Sequence, residues 1–180
     1  MDEKRKQEIK NIVQDILNKH NFGSSNVDII KLSNVLGFAV YTLDDSVPFD
    51  GVIIANKKDE PIDKTAFKDS KIIGFKKSIA PNQNRFIVAH ELGHFFLHSA
   101  NSENNIYVYT YHGKNKNEDK EKEEEANFFA ANLLVPEESL RKFLNTFKET
   151  SSNVFVEEEA ANYFKVSTEC IRKRLSEVGL

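Results

Sequence analysis

What this chain lacks sets its first limits. It has a single cysteine, Cys170, so no internal disulfide can form and a reducing, cytoplasmic setting fits. No apolar run approaches the ~18 residues that a membrane-spanning helix needs. The opening Met1-Asp2-Glu3-Lys4-Arg5-Lys6 lacks the apolar core of a signal peptide, which argues against export. Positive charge is not in surplus either. A formal net charge of −3 argues against nucleic-acid binding over the whole surface and leaves room only for a local patch. No internal repeat is visible. What remains is 180 residues, 39% hydrophobic with 14 Phe, which is enough to bury a core in one domain with a small appendage.

The stretch Phe86-Ile87-Val88-Ala89-His90-Glu91-Leu92-Gly93-His94-Phe95-Phe96-Leu97 organises the reading. Inside it lies H-E-x-x-H. On a helix, residues four apart share a face about one turn apart, so His90 and His94 can offer imidazole nitrogens to one ion. Glu91 projects about 100° around the helix, beside the metal position rather than onto it. A carboxylate there can take a proton from water and hand it to a leaving group. The apolar flanks suit a buried helix. The plain alternative is a core helix whose histidines only hydrogen-bond internally, and a third ligand decides between the two.

A histidine six residues past His94 is excluded, because Ala100 stands there. His98 lies eight residues from His90, about 12 Å along the axis, too far for one ion with bonds near 2 Å. The other common solution is a glutamate from a second helix. In Glu121 to Pro136, the apolar stripe Ala126, Ala130, Leu133, Leu134 extends back to Glu123, with Asn127 four residues after it. Glu125 lines up with Phe128, Phe129 and Asn132 and is the main rival. The other acidic residues of this run read as a solvated helix start.

H-E-L-G-H followed by E-x-x-A-N-x-F-A-A-x-L-L-x-P resembles the ImmA/IrrE family of metallopeptidases, from about Asn34 to Leu180. The resemblance implies an α+β zincin-like domain holding one Zn²⁺, with Glu123 as third ligand. Asn127 would brace a ligating histidine, as such partners usually do. It further implies an endopeptidase that cleaves a helix-turn-helix transcriptional repressor and so switches on a mobile element or stress response. The alternative is a non-catalytic DNA- or protein-binding regulator with a structural metal site, which would have no use for Glu91.

The rest of the chain fills in the domain. Helices are predicted over Asp2 to Lys19 and Val27 to Leu36, and strands over Phe38 to Leu43, Gly51 to Ala55 and Lys71 to Phe75. One of the last two strands would be the sheet edge that holds an extended substrate. Pro81-Asn82-Gln83-Asn84 reads as a break and cap before the metal helix. Ile106 to His112 alternates and suggests a hairpin over the active-site mouth. Arg85, Tyr109, Tyr111 and His112 are the candidate donors to a transition-state oxyanion. Glu137 to Phe147 is a further helix. The metallopeptidase domain then covers residues 1–150, a small mixed or antiparallel sheet packed on helices. Residues 151–180 resemble a helix-turn-helix, packed on the same domain. Arg172, Lys173 and Arg174 lie there beside Glu169 and Glu177, a weak footprint that disfavours DNA.

Overall fold

Ile9, Val13, Ile16 and Leu17 recur at helical spacing and are all buried along one side of α1 (Glu3–Lys19). Asp2 caps this helix, its carboxylate accepting the Arg5 amide at 2.7 Å. The computed structural model describes residues 1–22, 26–56, 58–62, 68–101, 104–111, 120–147 and 153–179. α2 (Ile29–Val35) starts at the Asp28 cap and is followed by Gly37, whose φ of +86° suits a residue without a Cβ. Strands β1 (Ala39–Leu43), β2 (Gly51–Asn56) and β3 (Lys71–Lys76) follow the β-branched runs. They precede α3 (Pro81–His98), which carries H-E-x-x-H. Next come β4 (Ile106–Tyr111), α4 (Lys120–Leu134) and α5 (Glu137–Leu144). The last two helices are α6 (Asn153–Phe164) and α7 (Thr168–Glu177). The architecture is α+β, with seven helices and a four-stranded mixed sheet among the described residues.

Expectations for the sheet and for the start of α3 need correction. The sheet order is β1-β3-β2-β4, with β1 parallel to β3 and the other pairs antiparallel. β2 and β3 are therefore interior strands, and neither can be an edge that receives substrate. β4 joins β2 with Ile53 opposite Tyr109, so the 106–111 segment is one of the two edge strands of the sheet rather than a separate hairpin. Second, Pro81 to Asn84 belong to α3 itself. Proline at the first helical position needs no amide hydrogen and has its φ preset, so the helix begins there after Ala80, which supplies no side-chain cap. The Asn84 amide already bonds back to the Ala80 carbonyl at 2.9 Å.

The apolar run around the motif becomes a helix buried on every side. Residues from Ile87 to His94 are all buried, because α3 packs against β2, β3 and β4 and against α2 and α4. The approach of α4 is closest at Gly93. A Cβ built there would lie 3.1 Å from both Cα and O of Ala126 and 3.2 Å from Phe129 Cβ. The glycine of H-E-L-G-H is thus where the second helix seats against the first.

The C-terminal helices close over the end of α4. Arg174 is fully buried, its Nε donating to the Val135 carbonyl at 3.0 Å. Arg172 is paired with Glu157 at 2.7 Å and Lys173 with Glu169 at 3.0 Å. Cys170 is buried, and burial pushes its thiol up to about 11. No described helix is long and apolar enough to cross a membrane.

Helix propensity alone would make Gly93→Ala stabilising by about 1 kcal/mol. Because backbone stands in the way of the new methyl, overpacking of about 1–3 kcal/mol dominates. We expect a net loss of stability in denaturant titration, and unchanged or increased stability would mean the helices are not in contact at this point.

Candidate metal centre

α3 brings His90 and His94 to the same face, one turn apart, and their Nε2 atoms lie 2.9 Å from each other. α4 seats at Gly93 with Glu123 one turn before Ala126, which delivers the carboxylate to the same point. Glu123 Oε1 is 3.0 Å from His94 Nε2, and Oε2 is 3.5 Å from His90 Nε2. The three donor atoms all lie within 4.8 Å of one another. At bond lengths of about 2.0–2.2 Å, tetrahedral ligand atoms sit roughly 3.3 Å apart, a value the observed spacings bracket.

Proton positions support the same use. His90 Nδ1 is 3.1 Å from Asn127 Oδ1, and a carbonyl oxygen can only accept. With its proton on Nδ1, His90 would present the Nε2 lone pair toward His94 and Glu123. Two ring nitrogens facing one another need a cation or a shared proton between them. Burial pulls His94 down to about 4, against the opposing hydrogen bond to Glu123, so its imidazole is neutral at pH 7. Burial works to raise the Glu123 carboxyl, but the neighbouring His90 and His94 rings, with the Tyr109 hydroxyl, hold it below the ordinary carboxylate range. A neutral His94 imidazole and an ionised Glu123 carboxylate are forms that bind a divalent ion. The donor set fits one.

The rival carboxylate is spoken for. Arg5 Nε donates to Glu125 Oε1 at 2.8 Å and Nη2 to Oε2 at 2.7 Å, a two-pronged pair that consumes the fork of the guanidinium. That pair holds the Glu125 carboxyl below its usual range. His98 lies on the Glu125 side, with Nε2 3.8 Å from Glu125 Oε2 and 3.4 Å from the Lys122 carbonyl.

Glu91 is fully buried. Its Oε1 lies 3.0 Å from where a Cβ would stand on Gly51, and that same Cβ would collide with Ile87 Cγ2. β2 can approach α3 here only because residue 51 has no side chain, and the carboxylate occupies the space so left. Tyr111 Cβ lies 3.4 Å from the same position, and the Tyr111 ring packs against that of His90 at 4.8 Å.

β4 lays three tyrosines of one strand face along α3. The Tyr107 hydroxyl donates to the His94 carbonyl at 3.0 Å. Tyr109 stacks on the His94 ring at 3.6 Å, and its hydroxyl donates to Glu123 Oε1 at 2.8 Å. Of the four donor candidates, Tyr109 and Tyr111 are at the cluster. Arg85 turns away, with Nη2 donating to Asn26 Oδ1 at 2.9 Å and the Val27 carbonyl at 2.8 Å. His112 lies outside the described residues.

A family model described as IrrE N-terminal-like domain, Peptidase_M78, matches residues 51–176. The chain belongs to this family. Membership makes the IrrE-like chain a peptidase of a metal-dependent family, and the His90, His94, Glu123 triad is its candidate metal site. Among curated proteins nothing matches. The resemblance drawn from H-E-L-G-H and E-x-x-A-N named the same family. The residues that sequence reasoning missed are Gly51, Gly93, Tyr107 and Arg5. The glycine inside the motif could have been read as a close helix contact, but nothing local marks Arg5, which meets its partner 120 positions away.

The two carboxylates should separate cleanly. Glu123→Ala is expected to abolish metal uptake at micromolar concentration. Glu125→Gln should keep one ion per chain while lowering stability, because it breaks the pair with Arg5. Metal analysis of dialysed protein checks both. Retained metal in Glu123→Ala, or lost metal in Glu125→Gln, would reverse the assignment.

Proposed function

We propose that this peptidase is a zinc endopeptidase in which His90, His94 and Glu123 hold one Zn²⁺ and Glu91 is the general base. The observation that carries the reading is the convergence of three donor atoms from two helices, with a second carboxylate, Glu91, buried on the same helix as the histidine pair. A structural site has no use for that second carboxylate. Two imidazoles and one carboxylate also suit Zn²⁺, which leaves a coordination position open in catalytic sites.

When bound, zinc polarises a carbonyl and makes water more acidic. The protein's own groups do the rest. Asn127 fixes the His90 tautomer, so that Nε2 keeps its lone pair. Glu91 takes the proton of the attacking water as the new C–O bond forms, and returns it to the amine nitrogen as the C–N bond breaks. Burial of Glu91 excludes competing bulk water. Tyr111, beside the His90 ring, is the favoured donor to the oxygen that gains charge. An extended segment of substrate adds to β4, an edge strand of the sheet, through main-chain hydrogen bonds.

The substrate class follows from the ImmA/IrrE resemblance: an extended segment of a helix-turn-helix repressor, cut in the cytoplasm to relieve repression. The pairing of Arg172 and Lys173 with glutamates, and the burial of Arg174, support protein rather than DNA as the partner.

The test is incubation of zinc-loaded protein with helix-turn-helix repressors from the same source, followed by mass spectrometry of the fragments. Glu91→Gln should retain zinc and lose about 10²–10⁴-fold in turnover. Full activity in that variant would end the catalytic reading. Tyr111→Phe should lose about 10²–10³-fold in kcat at unchanged zinc content. An unaltered kcat would remove Tyr111 as the oxyanion donor.

A further inference from the structure

We infer that Tyr109 is a positioning residue for the metal centre, holding His94 and Glu123 in the geometry that accepts the ion. The inference rests on the zinc reading above and adds a residue to it. The two histidines are held by different means. His90 has the Asn127 carbonyl on Nδ1. His94 Nδ1 is buried with no hydrogen-bond partner among the described residues. A ligating histidine usually donates that proton to a carboxylate, carbonyl or water, which fixes the ring. Here the ring is fixed by a face. The Tyr109 ring lies 3.6 Å from it, inclined by 21°.

The same side chain reaches the third ligand. Its hydroxyl donates at 2.8 Å to Glu123 Oε1, the oxygen 3.0 Å from His94 Nε2. A glutamate has three torsions and the Glu123 side chain keeps 22% of its surface exposed, so a fixed donor beside the histidines helps set where its carboxylate rests. Tyr109 thus ties the ligand from α4 to the second ligand from α3, across the seam that the ion itself would bridge. Strand geometry makes this possible, because β4 is anchored one residue pair earlier by the Tyr107 hydroxyl on the His94 carbonyl. The assignment also separates Tyr109 from Tyr111. The first touches two of the ligands, and the second packs its ring against that of His90.

The test compares wild type, Tyr109→Phe and Tyr109→Leu for zinc affinity by chelator competition, with apo-protein melting and the visible spectrum of the cobalt-loaded protein as further readouts. Tyr109→Phe keeps the stacked ring and loses the donor. It should weaken zinc about 10–100-fold, alter the cobalt bands that report carboxylate coordination, and leave the apo melting temperature close to wild type. Tyr109→Leu should weaken zinc further. Wild-type zinc affinity and cobalt bands in Tyr109→Phe would overturn the inference, whether or not turnover falls. Failure of the wild-type protein itself to bind zinc would instead overturn the metal reading on which it rests.

Discussion

The close seating of α4 on α3 at Gly93 and Ala126 is the constraint on which the rest of the structure depends. A metal site of this kind has tolerances of a few tenths of an ångström, and it is assembled from residues about thirty positions apart on two helices. Coulomb attraction between an ion and its ligands acts only once the helices are already in register. Register comes from packing: a glycine on one helix, an alanine on the other, and Phe129 filling the flank. The chemistry therefore sits on a steric contact.

A second layer of control is the assignment of neighbouring carboxylates to different cations. Glu123 and Glu125 are two residues apart on α4 and point to different sides, one to the histidine pair and the other to Arg5. The pair with Arg5 both fastens α1 to α4 and keeps the second carboxylate away from the histidine pair. α1 lies outside the segment that the family model matches, so the charge that settles this choice comes from beyond the shared domain.

Local spacing made much of this legible. His90, Glu91 and His94 were readable because a helix places residues four apart on one face, and the apolar flanks fixed the helix. Glu123 was readable from the phase of the apolar stripe, but the phase alone left Glu125 open, and the role expected of Asn127 came with the family resemblance. The competing salt bridge is a long-range pairing that no window of sequence contains. The strands were readable from Val52-Ile53-Ile54 and Ile72-Ile73, yet their order was not. β1 pairs with β3 in parallel, skipping β2, and β4 adds outside β2 after the intervening helix. Those choices are made by packing against α3, which composition does not report. The start of α3 was misread because asparagine is a good cap in general, while Pro81 preset the first turn by itself.

The spacing of Glu123 and Asn127 on α4 has one further consequence. The first is a candidate ligand and the second grips the other side of His90, and both ride on the same rigid rod one turn apart. Any slide or roll of that rod would withdraw the carboxylate and release the imidazole together. The centre is thereby built to be whole or broken, with few partly assembled forms between.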